Sequence, residues 1–151
     1  MKVAIGSDHA AYRLKLVIKE LLANLGHEVE DLGAFTDAVP ANDYHLTGAA
    51  VAEQVREGKV DRGIVMCGSG IGISIAANKV PGVDCALCND LFTARKSREH
   101  NDARVLALGA RVVGEEVAKE IVKIFMQTEF EGGRHIARNA NIRMIEQKYS
   151  K

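Results

Sequence analysis

Tryptophan is absent from this chain, proline occurs only twice, cysteine three times, and 20 basic side chains balance 20 acidic ones. Each shortage removes a class of protein. Scarce proline together with 47% hydrophobic residues is a globular profile, neither disordered nor fibrous. A formal net charge of zero supplies no broad positive field for nucleic acid or an anionic membrane, so any anion must be held by a local site. Three thiols cannot all pair within one chain, which points to reduced cysteines and a cytoplasmic setting. The apolar run from Met1 to Ile5 is too short for a secretory leader, and no run reaches transmembrane length. At 151 residues the chain suits one domain, 1–151, with a sizeable core.

What is present is an alternation of short apolar runs with helical patterns. Val3 to Ile5 reads as a buried strand, and Leu14, Val17, Ile18, Leu21, Leu22 and Leu25 then recur at helical spacing with Gly26 as the stop. His27 to Leu32 alternates as a second strand, Gly33 to Tyr44 is a loop, and Thr47 to Glu57 is a helix. Gly63 to Met66 forms a third strand that leads through a glycine-rich turn into a helix over Ile71 to Asn78. Val83 to Leu87 and Arg104 to Leu108 complete the strands, with helices over Leu91 to Glu99, around Val117 to Phe125, and over Arg134 to Tyr149. Strands separated by helical crossovers predict an α/β, Rossmann-like, doubly wound fold. Its five-stranded parallel sheet carries helices on both faces, followed by a C-terminal helix. Ligands of such sheets sit beyond the carboxyl ends of the strands, so the chemistry belongs there.

Ser7-Asp8-His9 follows the first strand, and Cys67-Gly68-Ser69-Gly70-Ile71-Gly72 follows the third. Three alternate glycines leading into a helix let backbone N–H groups converge on an anion or an oxyanion. A dinucleotide fingerprint competes, but the spacing is G-x-G-x-G and the first strand ends in Gly6-Ser7-Asp8-His9 instead; a purely structural tight turn is the other reading. A strand-end cysteine is most simply a buried structural thiol. Beside a helix entrance, partial positive charge favours its thiolate form. His100-Asn101 precedes the fifth strand, so it must reach a site from a helix end or from another subunit. Capping is the bland alternative for His9 and His100, while His27 and His45 take no role. Cys85 and Cys88 form a lone C-x-x-C on a strand, where residues three apart face opposite sides, poor geometry for a shared metal.

Arg134 and Arg138 lie four apart on the last helix, on a face continued by Ile142, Ile145 and Tyr149. That alignment places both guanidiniums on the packing side, near Gly132-Gly133, as a phosphate clamp.

Together these residues resemble the ribose-5-phosphate isomerase B family, which also includes the galactose-6-phosphate isomerase subunits. The likeness runs along nearly the whole chain. It rests on G-S-D-H-A-A at 6–11, C-G-S-G-I-G-I-S-I-A-A-N-K at 67–79, R-E-H-N-D-A-R at 98–104 and F-E-G-G-R-H-I-A-R at 130–138. The resemblance implies a homodimer, or a dimer of dimers, whose sites combine residues of two subunits. It implies interconversion of an aldose phosphate and its ketose through a cis-enediolate without metal or cofactor, with ribose 5-phosphate and ribulose 5-phosphate as the expected pair. Cys67 would shuttle a proton between C2 and C1, His100 would be the acid that opens the furanose ring, and Ser69 would move protons between the two oxygens. The backbone of Gly68, Gly70, Ile71 and Gly72, with Asn101, would stabilise the enediolate oxygen. Asp8 would bind sugar hydroxyls, and His9, Arg134 and Arg138 the phosphate. Arg111 matches a contact from the partner subunit and Tyr44 a sugar-side contact. A subgroup lacking the cysteine uses a carboxylate base beyond the glycine turn; Ile73 cannot do that work here.

One segment departs from the family's pattern. After Asp43-Tyr44 the family continues with proline and an aromatic-containing stretch, whereas this chain reads His45-Leu46-Thr47-Gly48. The change bears on the identity of the sugar, leaving allose 6-phosphate, galactose 6-phosphate or a tetrose phosphate as alternatives. A non-catalytic sugar-phosphate-binding subunit and a nucleotide-binding module are the readings outside that class.

Overall fold

Four short, largely apolar segments and one alternating acidic one, Glu28–Asp31, become the strands β1 (Lys2–Ser7), β2 (Glu28–Asp31), β3 (Arg62–Cys67), β4 (Cys85–Leu87) and β5 (Val105–Gly109). The computed structural model describes residues 1–38 and 44–150. The strands pair in parallel in the order β2-β1-β3-β5-β4. A parallel pair needs a crossover. Between strands the chain folds into α1 (Tyr12–Asn24, entered through a short 3-10 turn), α2 (Tyr44–Arg56), α3 (Ile71–Asn78) and α4 (Leu91–Glu99); α5 (Glu115–Gln127) and α6 (Arg134–Tyr149) follow the sheet. The five-stranded parallel sheet with helices on both faces is the architecture expected from the sequence.

Alternating strand residues feed two apolar layers. Val3, Ile5, Ile64, Met66, Leu106 and Leu108 pack with α1, α4 and α5, whereas Ala4, Val65, Cys67, Val105 and Ala107 pack with α2 and α3. Cys88 joins the first layer and Cys85 the second, so the two thiols face opposite sides of the sheet. Both are free, and burial pushes the Cys85 thiol well above its ordinary value. The expected loop after β2 is irregular as far as residue 38, and residues 39–43, Asp43 included, lie outside the described residues. The second helix starts at Tyr44 rather than Thr47, which brings Tyr44 onto a rigid element. No helix among the described residues is long and apolar enough to cross a membrane.

The C-terminal helix corrects the reading of its apolar stripe. Arg134, Arg138, Ile142, Ile145 and Tyr149 share a face, but within this chain that face is open: Ile145 is 62% and Tyr149 76% exposed, and His135 is the buried residue of α6. Helical spacing says which residues share a side and not what that side meets. Polar contacts tie α6 on instead. Arg143 pairs with Asp84, the Gly82 N–H donates to Glu146 at 3.0 Å, and the Asn139 side chain donates to the His100 carbonyl at 3.1 Å.

A buried charge braces the other end of the molecule. The Lys15 side chain is fully buried, and its ammonium donates to Asp31 at 2.7 Å and to the Ala34 carbonyl, while Lys19 holds the second Asp31 oxygen at 3.2 Å. Burial pushes the Asp31 carboxyl up, but Lys15, the Gly33 N–H and Lys19 outweigh it and hold the group below its ordinary value. That contribution is complete above the unfolded value of 3.8 and fades as pH falls through the folded one. The braced segment exchanges backbone bonds with Ser7, and so seats Ser7-Asp8. Lys15→Ala is expected to cost about 3 kcal/mol in urea unfolding, because it strands a buried carboxylate that Lys19 reaches only from one side. The double replacement Lys15→Met with Asp31→Leu should recover most of that loss.

Candidate active site

Cys67 is the last residue of β3, opposite Gly109 in the register with β5. Here the chain turns sharply over the neighbouring strand. Gly70 adopts φ +79°, and a Cβ on it would lie 2.5 Å from Leu87 Cδ1 and 2.9 Å from the Gly109 nitrogen, so only glycine fits. The turn brings the Gly70 N–H to 3.2 Å from the Cys67 sulfur, a donor aimed at the atom that would carry charge as a thiolate. The Ser69 hydroxyl receives the Ile71 N–H at 3.2 Å. Gly70 has no side chain to cap α3, whose first helical bond runs from Ser74 to the Gly70 carbonyl. The N–H groups of Gly72 and Ile73 in that first turn are therefore left for an outside acceptor, at the positive end of the helix.

Several other residues singled out in the sequence surround this turn. The Arg111 guanidinium lies 3.3 Å from where a Cβ on Gly68 would stand, and the Arg111 N–H donates to the Gly68 carbonyl at 2.9 Å. Expected as a contact from a partner, Arg111 covers the glycine turn of its own chain. The Tyr44 ring covers Gly72, where a Cβ would come within 2.7 Å of it. Asp8, nearly buried, accepts the Ala11 N–H at 3.2 Å and donates its own N–H to the Met66 carbonyl at 3.2 Å, so the start of α1 is stitched to β3 one residue before Cys67. His9 opens the same short turn.

His100, Asn101, Arg134 and Arg138 do not join them. In a parallel sheet α4 returns from the carboxyl end to the amino end, so His100, its C-cap, stands before β5 begins at Val105. From there to Gly109, the partner of Cys67, the sheet runs about 13 Å further. The C-terminal group gathers at this far end. The Glu131 N–H donates to the Glu99 carbonyl at 3.0 Å, and the His135 ring stacks on His100 with centroids 4.1 Å apart and planes at 16°. Arg98 fixes the turn below by donating to the Ala103 and Thr128 carbonyls and pairing with Asp102 at 2.9 Å. An open cavity of about 430 Å³ lies here, lined in part by Asn101, Arg104, Phe130, Asn139 and Arg143; Cys67 does not reach it. One chain thus carries two groups of candidate residues at opposite ends of its sheet: a thiol that receives the Gly70 N–H, and a histidine pair beside two exposed arginines.

Among the described residues, His100, Glu131 and His135 offer ligand atoms within 4.8 Å of one another. Metal bonds lie in the plane of each imidazole, and two stacked rings hold their lone pairs in separate parallel planes. In this arrangement a single ion cannot satisfy both histidines.

A family model described as ribose/galactose isomerase matches residues 3–142. The chain belongs to that family. It is 45% identical to ribose-5-phosphate isomerase B of Escherichia coli over 97% of both chains. It is 43% identical to D-erythrulose-4-phosphate isomerase of Pectobacterium atrosepticum over 88% of this chain and 87% of that one. The solved structure of Clostridium thermocellum ribose-5-phosphate isomerase B matches with a TM-score of 0.96 at 53% identity, covering 99% of this chain and 100% of that one. Membership makes the protein a sugar phosphate isomerase and accounts for the four motifs.

Three residues whose contacts the structure reveals carry little signal in the sequence. His135 sits inside the R-H-I-A-R motif, but the reading followed the arginines on either side of it. Glu131 lies four residues before it. Lys15 interrupts an apolar stripe, yet Lys15, Ile18 and Leu22 hold one buried helical spacing, the signal that could have found it.

Proposed function

We propose that this isomerase interconverts ribose 5-phosphate and ribulose 5-phosphate at two sites shared by a homodimer, each built from the thiol half of one subunit and the histidine half of the other. The separation of the two half-sites along one sheet carries this reading. Each half alone lacks part of the chemistry. The exposed stripe of α6, with Ile142, Ile145 and Tyr149, supplies apolar surface that a second copy would cover.

The chemistry follows from the groups. Ribose 5-phosphate closes a furanose ring through O4, so His100 gives a proton to O4 as the C1–O4 bond breaks, solvent takes the C1 hydroxyl proton, and the aldehyde forms. The Cys67 thiolate removes the C2 proton. Negative charge moves to O1, where the turn's backbone donors and the partner's Asn101 stabilise it more strongly than the neutral carbonyl. Ser69 passes a proton from O2 to O1, and Cys67 returns its proton to C1, leaving a ketone at C2. His9, Arg134 and Arg138 hold the phosphate away from the reacting carbons and fix their orientation.

Relatives that act on different sugar phosphates make a substrate panel the deciding test. Ribose 5-phosphate is expected to exceed allose 6-phosphate, galactose 6-phosphate and a tetrose 4-phosphate by about tenfold or more in kcat/KM, with turnover unchanged after dialysis against a chelator. A different sugar at the head of that ranking would replace the substrate and keep the reaction class; no turnover of any of them would remove the catalytic reading.

A further inference from the structure

The stacked histidine pair is more than the isomerase reading requires. His135 is 3% exposed, yet its Nε2 has no hydrogen-bond partner and faces the Glu131 carboxylate from 3.4 Å. A site that needed only packing would be served by leucine or phenylalanine at no desolvation cost. The ring it touches is His100, whose backbone carbonyl accepts from Asn139 on the same helix as His135.

We infer that His135 is the positioning residue for His100, backing its ring so that opening of the sugar ring depends on two histidines rather than one. The inference rests on the proposed role of His100 and extends it to a residue that takes no part in enolisation.

Two physical effects follow from the stack. The flat face of His135 fixes the tilt of the half-buried His100 ring and leaves its nitrogens directed edgewise. A neutral aromatic face also suits a protonated neighbour, whereas a second cation would repel it. The groups facing His135 keep it the neutral member. Burial comes first, then His100, Arg134 and Arg138 all lower its proton affinity, and Glu131 alone opposes them.

Ring opening and enolisation can be read separately. Ribose 5-phosphate must open before it reacts. Ribulose 5-phosphate is acyclic because its O5 is esterified, and uptake of solvent deuterium at its C1 reports enolisation alone. His135→Leu keeps the volume and removes the aromatic face; His135→Phe restores the face without the nitrogens. His135→Leu is expected to lower kcat on ribose 5-phosphate by about tenfold, with deuterium uptake from ribulose 5-phosphate within about twofold of the parent. His135→Phe should bring ribose turnover back to within about threefold. The inference is overturned if the two variants behave alike, if both readouts fall together, or if neither variant folds, since His135 is then only structural. His100→Ala separates this from the parent reading: it should show the same split more strongly. If it slows both readouts equally, the acid is misassigned. If it splits them and His135→Leu does not, the inference alone fails.

Discussion

Cys67→Ala is expected to lower kcat on ribose 5-phosphate by about 10³-fold, with KM moving by less than about threefold. The thiol ends β3 on the side covered by α2 and α3, is 5% exposed, and receives the Gly70 N–H. Its removal takes away the proposed base and leaves the proposed phosphate-binding residues and the glycine turn in place, so the loss is expected to fall on the transition state and not on ground-state binding. The structural cost is small, about 1 kcal/mol for one buried sulfur, and thermal melting should place the variant near the parent. Cys85→Ala is the matching control: it removes a strand thiol on the same face of the sheet, and turnover should stay the same. Parent-like kcat in Cys67→Ala would take the thiol out of the reaction.

Mixing two inactive proteins should restore activity. In the proposed shared arrangement Cys67→Ala lacks the base and His100→Ala lacks the acid, so each homodimer would be defective at both of its sites. A heterodimer of the two places both substitutions in one site and leaves the other wild type. If the chains assort at random, half the dimers are mixed, and about a quarter of all sites are intact. Co-expression with two affinity tags, followed by assay of the doubly captured species, should give about half the parent turnover per dimer. No recovery in that species would place both residues in one subunit's site and contradict the shared arrangement. Arg138→Ala paired with Cys67→Ala should complement in the same way, because Arg138 belongs to the half that carries His100.

Much of this molecule was legible before any coordinate. Among the described residues the strand and helix periods name the five strands and six α-helices within a few residues, because the inner strands of a parallel sheet need apolar runs, its edge strand β2 alternates, and its crossovers need amphipathic helices. The G-x-G-x-G turn after β3 marks a place where side chains cannot be tolerated, and Gly70 shows why: its φ is +79° and Leu87 and Gly109 fill the space a Cβ would take. The position of His100 before β5 already implied that it could not follow Cys67 out of the sheet. By contrast, Lys15 reads as a polar break in a helix, and nothing local reveals that Asp31 and the Ala34 carbonyl wait for it inside. The α6 stripe reads as a packing face and, within one chain, is bare.

The sequence by itself determined which residues lie on strands, which lie on one helix face, and which motifs belong to a sugar phosphate isomerase, because those properties repeat over distances of two to seven residues. Only the tertiary structure decided what each face meets: that Arg111 and Tyr44 close over the glycine turn, that His135 stacks on His100, and that Cys67 and His100 stand at opposite ends of one sheet. The reason is that register and crossover direction, not spacing, set distances between residues far apart in the chain.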